Sequence, residues 1–495
     1  MKKKTIVIII ILTSFLISLS ISLTNRISGD GCWHMAASKF IAKNNKIPSF
    51  EYIGRTEPFW SAPLFHITNG ILYKLDHLIG LDGFFIRFTL PIASLFCLIF
   101  LYLITKKLYN KHIAVYSTFF LAFMPIFLDY SSNYHIAVFL TCFILGSIYF
   151  ILKDKMMLAG LFFGLAMLSK FNGIFAGFGL LYLLYMKYKR NLRKYIIFIG
   201  ASLIGMLSFL RNYLLYGNPV WPNLRSILGG ISHPGLDYIY TSGLHISNLL
   251  NIKVITAQFL SLYGIPGGNL RNLSFLNIPF ISVLLAGFVI LGIVYLIPVI
   301  PAFKGITKKN KKEIFLLVWI LGFMPFNILF ILNIGGPDTR LLLPIIPAFA
   351  ILWGKGMDYI IKKFKIRRKQ LITSILLIII ASSFSGAIIV KSVIASNQWS
   401  IYDEDYKWIS NNTPKDALFI YNGQCLAINT GRSSRYLPFD NNYKTIQEGY
   451  FFFNGNFNIE PQVTLNREQQ EKIKQATNCT IIYNNQKTGT SICRI

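Results

Sequence analysis

The sequence predicts an all-α polytopic membrane protein of about eleven transmembrane helices with a small C-terminal extracytoplasmic α/β domain. Three observations predict it. Of 495 residues, 54% are hydrophobic and 14% charged, and uncharged runs of roughly 20 residues, the length a bilayer demands, recur along the chain. Lysines and arginines punctuate these runs instead of covering one solvated face, so the formal net charge of +29 reads as a positive-inside signal and not as a nucleic-acid surface. From about Ser392 the chain turns polar and rich in Asn, with no further run of membrane length.

The first span, Thr5–Leu23, follows the lysines of Met1 to Lys4, which place the N-terminus inside. It reads as an uncleaved anchor, because Ser20-Ile21-Ser22 is only a weak cleavage site. The following spans are Phe84–Leu103, Ile113–Leu128, Ile136–Leu152, Met156–Leu168, Ile174–Met186, Tyr195–Leu210, Asn277–Ile297, Ile314–Leu332, Leu341–Ile360 and Leu371–Val390. Basic clusters at Lys106 to Lys111, Lys153 to Lys155, Lys187 to Lys194, Lys304 to Lys312 and Lys362 to Lys369 then fall on alternate, cytoplasmic loops. Met156–Leu168 and Ile174–Met186 are short for a crossing, yet both of their basic flanks are cytoplasmic, so the chain goes out and returns with Ser169 to Gly173 at the outer surface. A re-entrant hairpin satisfies the same charges.

This topology divides the chain into a membrane domain, 1–393, with outer loops 24–83 and 211–276, and an extracytoplasmic domain, 394–495. In the latter, Tyr402–Asn411 and Asn466–Ala476 read as helices, and Ala417–Tyr421, Thr480–Tyr483 and Thr490–Arg494 as strands. Such a module either caps the site or takes part in its chemistry. No Cys/His set has zinc spacing, and of the tail cysteines Cys425, Cys479 and Cys493 the last two flank a hairpin, without the pairing being determined. The sequons at Asn272, Asn411 and Asn478 fall outside in this topology and carry no further weight.

The outer side therefore holds the chemistry. Acids are scarce, 20 Asp and Glu against 49 Lys and Arg, and Asp30 stands just beyond the first span. An ionisable group beside a membrane segment is a functional hypothesis by default. Moving a group between hydroxyl and phosphate requires a carboxylate to take the hydroxyl proton, cations to hold the leaving phosphate, and a dry cleft. Asp30 supplies the first, with Glu57 as a second acid. Arg55, Lys170, Arg211 and Arg340 are candidates for the second, although Arg211 and Arg340 also read as snorkelling anchors. Trp33, His34 and His66 are candidates for the pocket wall. His34 and His66 with Asp30 form a candidate set for a divalent metal, without a spacing signature. No cofactor is otherwise implied.

The segments APLFH (62–66), GLAMLSKFNG (164–173), RNYLLYGNPVWP (211–222) and DTRLLLPIIP (338–347), behind a carboxylate that follows the first span, resemble the GT-C class of membrane glycosyltransferases. Within it the chain is similar to the dolichyl-phosphate-mannose protein mannosyltransferases and aminoarabinose transferases, of archaeal or bacterial type. The tail segments YKWISNNTPKDALFIYNG and NTGRSSRYLP look alike too. The resemblance covers most of the chain as short scattered motifs whose order is more specific than any one of them. It implies a cell-membrane enzyme that takes a sugar from a polyprenyl-phosphate donor to a hydroxyl of lipid, glycan or protein on the outer face. In that family's terms Asp30 is the general base of an inverting displacement, and Lys170, Arg211 and Arg340 match phosphate-binding positions. Two departures stand out. Where the family often pairs acids, this chain has Gly29-Asp30-Gly31, and the oligosaccharyltransferase hallmark WWDYG is missing.

Two rival readings remain at this stage. A transporter or lipid flippase would place its ionisable groups at the midplane and carry inverted repeats, neither of which is evident. A non-catalytic scaffold would lose its function with the tail.

Overall fold

The computed structural model describes residues 3–49, 59–232, 247, 310–334, 339–363, 369–420, 425–435, 446, 448–453 and 467–495. Arg55, Glu57, the span expected at Asn277–Ile297 and most of the 211–276 loop lie outside the described residues. The described part of the membrane domain begins with α1 (Lys3–Thr24), α2 (Asp30–Asn44), α3 (Leu64–Leu78), α4 (Thr89–Leu108), α5 (Lys111–Phe123), α6 (Pro125–Ser132) and α7 (Ile136–Leu152). It continues through α8 (Met156–Ser169), α9 (Ala176–Tyr188), α10 (Leu192–Ser202), α11 (Met206–Tyr216) and the single turn α12 (Arg225–Leu228). After the undescribed stretch come α13 (Lys311–Ile334), α14 (Ile346–Lys363) and α15 (Lys369–Ser400).

Among the described residues five helices are long and apolar enough to cross a membrane: Lys4–Thr24, Phe85–Leu108, Leu192–Tyr216, Arg340–Lys363 and Leu377–Ile394. The protein is thus a multi-pass membrane protein. The expected span at Ile113–Leu128 is broken into α5 and α6, which meet at 59°. The cause is Pro125: the residue before a proline is driven out of the helical region, and Met124 sits at φ −68°, ψ 122°. The pair amounts to a sixth crossing if counted as one span. α7 and α8 are shorter apolar helices, and a 3-10 turn, Phe171–Phe175, leads from α8 into α9.

The two ends of the bundle differ in kind. At one end the basic clusters meet. Lys187 Nζ donates to Ile151 O (2.8 Å) and Leu152 O (3.0 Å), Lys107 also reaches Leu152 O, and Lys312 reaches Leu108 O. Cations close to the carbonyl ends of α4 and α7 are favoured by the helix dipole. Glu313, fully buried, pairs there with Lys355. The other end holds the close of α1, the amphipathic hairpin of α2 and α3, the close of α6, the start of α7 and the C-terminal region.

That region contains α16 (Asp403–Asn412), β1 (Leu418–Ile420), α17 (Cys425–Thr430), β2 (Ser433–Arg435), β3 (Tyr450–Phe453), α18 (Arg467–Thr477), β4 (Thr480–Asn485) and β5 (Thr490–Arg494). The strands form one sheet in the order β2-β1-β3-β5-β4. β1 pairs in parallel with β2 and β3, and β5 runs antiparallel to β3 and β4. One sheet face packs Phe419, Tyr450, Phe452 and Ile492 against Tyr402, Tyr406, Ile409 and Leu426, and the other packs Phe451, Phe453 and Cys493 with Ile473 of α18. Cys479 and Cys493 form a disulfide across β4 and β5.

Candidate active site

Asp30 is the first residue of α2, and local sequence fixes it there. Gly29 precedes it at φ 52°, a left-handed conformation that glycine adopts without steric cost. Gly31 follows with its Cα against the next layer: a Cβ there would lie 3.1 Å from Ile27 Cγ2 and 3.2 Å from Tyr134 O. The two glycines around the acid thus serve different needs, one torsional and one steric. As a carboxylate in the first helical turn, Asp30 also benefits from the dipole of α2.

Arg340, in the 3-10 turn Thr339–Ile345, forms an ion pair with Asp30 Oδ2. The same guanidinium nitrogen lies 2.9 Å from Nε2 of His135. Arginine has no acceptor, so Nε2 accepts here, while Nδ1 faces the backbone N–H of Ala137 at 3.4 Å. His135 stands immediately before α7 and is buried. Its proton affinity is far below the ordinary histidine value, first through burial and then through the charges of Arg340 and Lys170.

Asp30, Arg340 and His135 line one cavity of about 240 Å³, whose wall also contains Arg26, Arg87, Tyr130 and Asn133. Arg87 closes the last turn of α1, donating to the carbonyls of Ser22 and Asn25 (both 2.6 Å). Asn133 donates to Asp129 Oδ1 (2.6 Å) and accepts from Asn25 (3.2 Å). Asp129 in turn pairs with Lys391 of α15 at 2.5 Å. The end of α1, the end of α6 and the last long helix are thus joined by polar contacts beneath the cavity.

Behind α2 lies an aromatic and histidine layer. His34 Nδ1 and His66 Nε2 are 2.9 Å apart, and Trp33 stacks on Phe59 with centroids 5.2 Å apart. His34 is depressed to about 3 by burial, then by Lys170 and Arg340. His66 lies well below its ordinary value through burial, then through His34. Both are therefore neutral near pH 7, one donating to the other. Among the described residues no group of three His, Cys, Asp or Glu is placed to hold a metal ion.

The expected site residues separate into three groups. Asp30 and Arg340 meet in the cavity. Trp33, His34, His66 and Lys170 stand next to it, Lys170 through its charge on His34 and His135. Arg211 is elsewhere: it donates to Pro48 O (2.6 Å), Phe59 O (3.0 Å) and Asn212 Oδ1 (3.0 Å), bridging both sides of the first outer loop. Tyr216 Oη supports the same carbonyl of Phe59 at 2.8 Å. Arg26, Arg87, Asn133 and His135 were not anticipated. A signal for two of them existed, since the short segment Asp129 to His135 is an outer loop in the same topology and carries Asn133 and His135.

The architecture is that of the GT-C membrane glycosyltransferases. The chain superposes on the crystal structure of ArnT from Cupriavidus metallidurans bound to undecaprenyl phosphate with a TM-score of 0.63 and 12% identity, over 99% of this chain and 97% of that one. It also matches the Archaeoglobus fulgidus oligosaccharyltransferase in complex with Zn and sulfate (TM-score 0.59, 13% identity, 90% of this chain, 68% of that one). The AglB oligosaccharyltransferase of the same organism, in complex with an inhibitory peptide and a dolichol-phosphate, gives a TM-score of 0.53 at 12% identity, over 91% and 70% of the two chains. Residues 70–214, from α3 to α11, match the family described as dolichyl-phosphate-mannose-protein mannosyltransferase. Comparison with curated proteins yields no match in sequence.

Proposed function

We propose that this protein transfers a sugar from a polyprenyl-phosphate donor to a hydroxyl acceptor at the outer membrane face. The observation that carries the reading is the joint placement of Asp30 and Arg340 in one cavity at the bundle end opposite the basic clusters. On this reading the N-terminus is cytoplasmic, residues 394–495 form an extracytoplasmic domain, and the acceptor is a lipid, a glycan or a protein. The neighbours whose structures hold undecaprenyl phosphate or a dolichol-phosphate support a donor of that chemistry.

The step is an inverting displacement. The acceptor O–H gives its proton to the Asp30 carboxylate while its oxygen forms a bond to the anomeric carbon. The bond from that carbon to the phosphate oxygen breaks, and the electron pair leaves with the lipid phosphate. Arg340 turns from Asp30 toward the leaving phosphate, which strengthens the carboxylate as a base at the moment the phosphate charge develops. His135, held neutral, accepts from Arg340 without adding a charge of its own. Arg26 and Arg87 give the cavity wall a positive potential that favours an anionic donor. Lys170 contributes at longer range. Glu57 and Arg55 belong to the same loop, and Arg211 acts by holding that loop.

The test is transfer of label from a panel of radiolabelled polyprenyl-phosphate sugars, in membranes with and without the protein, with and without chelator. Label appearing in a lipid, glycan or protein fraction only with the protein is the expected result. Label crossing sealed vesicles with no transfer from any donor would replace this reading by a flippase.

A further inference from the structure

We propose that the C-terminal domain positions the base of the transfer site, through Asp403 and Cys425, by clamping the chain on both sides of Asp30. The inference rests on the proposed function for its catalytic half and on geometry alone for its structural half.

Local sequence sets where α2 begins, and the chain leading into Asp30 is irregular. The residues from Asn25 to Gly29 are not helical, and α2 begins without a side-chain cap. The entry to its first turn carries the backbone bonds from Gly31 N to Ser28 O (3.0 Å) and from Cys32 N to Gly29 O (2.9 Å). The C-terminal domain supplies what is missing on each side. Four residues before the acid, Arg26 forms an ion pair with Asp403, the first residue of α16. Its guanidinium also lies 5.5 Å over the ring of Tyr406 on the same helix. Two residues after the acid, Cys32 is joined by a disulfide to Cys425, the first residue of α17, with the Cα atoms 5.1 Å apart. Ala36 and Ala427 are packed together just beyond it.

The two jaws are themselves one body. Arg432, buried, donates from one guanidinium to Ser410 O (2.7 Å), Thr413 O (2.8 Å) and Thr413 Oγ1 (3.1 Å), and so binds the end of α16 to the segment that follows α17. Ile409 and Leu426 are buried in one core between the two helices. A displacement of Asp30 therefore has to move α16 and α17 together or break a contact to one of them. General-base transfer depends on the carboxylate being held to a fraction of an ångström, and misplacement by about 1 Å can cost 10²-fold in rate. Asp403 and Cys425 are positioning residues in this sense: neither lines the cavity, and both hold residues next to Asp30.

The experiment uses the full chain in lipid nanodiscs, as wild type, Asp403→Asn, Asp403→Glu, Cys425→Ser and the double variant D403N/C425S. Two readouts are taken: hydrogen exchange of the amides from Arg26 to Ala36, and steady-state transfer with kcat and the donor KM determined separately. Expected is faster exchange in this segment for D403N and C425S, most in the double variant, with kcat reduced roughly 10–100-fold and donor KM changed by less than about threefold. Asp403→Glu restores most of the rate. Unchanged exchange in the double variant would overturn the clamp whatever the activity. Faster exchange with undiminished kcat would overturn the positioning role. If the wild type itself transfers nothing, the proposed function falls, and exchange alone decides the clamp.

Discussion

One terminal nitrogen of Arg340 contacts both the carboxylate of Asp30 and Nε2 of His135. The acid and the arginine are separated by 310 positions in sequence and line the same cavity. In the proposed reaction the carboxylate that acts as base is adjacent to the cation that meets the leaving group, and movement of that cation from acid to phosphate would link the two halves of the step. Arg340→Ala is therefore expected to lower kcat by roughly 10²–10³-fold. Arg340→Lys, a point charge without the planar fork, should recover only part of this. Steady-state transfer checks both.

Gly31 provides a steric test of the same site. A Cβ at this position would press on Ile27 and on the carbonyl of Tyr134 at 3.1 and 3.2 Å, so the first turn of α2 must move by a few tenths of an ångström. Gly31→Ala should lower kcat about tenfold while the protein still inserts and folds. At Gly29 a Cβ meets nothing within 4 Å, and the cost is the backbone conformation alone, φ 52° with ψ −133°, roughly 1–3 kcal/mol for a residue other than glycine. Any side chain is therefore expected to lower activity here, and Gly29→Val, β-branched, more than Gly29→Ala.

The neutral histidines make stability depend on pH. His34 titrates near 3 in the folded protein against 6.5 when exposed, so the unfolded chain binds the proton more readily. The stability associated with His34 is fully present above pH 6.5 and is lost as pH falls from there toward 3. Thermal unfolding between pH 7.5 and 5 should show Tm falling with acidification. The slope should be shallower in His34→Gln.

Arg211 and Tyr216 make the base of the first outer loop a separate unit. Phe59 N donates to Ser49 O at 3.0 Å, and Arg211 holds the carbonyls on either side, Pro48 and Phe59. Of its three hydrogen bonds, Arg211→Ala removes two to the loop carbonyls, each from a charged donor and worth roughly 1.5–3 kcal/mol. The expected outcome is loss of exchange protection at the Phe59 amide. Undiminished protection would show that the loop base holds without Arg211.

Much of this arrangement was legible in the sequence, and the reasons for the rest are physical. Hydropathy located α1, α4 and α7 because lipid-facing and core-facing residues are both apolar in a membrane bundle. In the tail, the amphipathic pattern placed the helix at Asp403–Asn412 and alternation placed β4 and β5. β3 was missed because Tyr450 to Phe453 are buried on both faces and show no alternation. The break at Met124 hides in a continuous apolar run, where only the proline marks it. α15 extends past the expected end at Val390 to Ser400, since polar residues continue a helix beyond the bilayer as readily as they end one. Alternating basic loops put Asp30 and Arg340 on the same side. They could not show that the two side chains touch, nor that Arg211 binds a loop, because those depend on packing between distant segments. The disulfide between Cys32 and Cys425 joins a cysteine near the first span to one in the tail, a pairing that spacing along the chain does not suggest.

The most direct measurement is transfer by Asp30→Asn beside the wild type, with binding of the polyprenyl phosphate alone measured on the same preparations. The substitution keeps size and removes the base. A fall in kcat of roughly 10²–10⁴-fold with lipid-phosphate binding retained is the predicted result. Transfer at the wild-type rate by folded, membrane-inserted Asp30→Asn would contradict the assignment of Asp30 as the base.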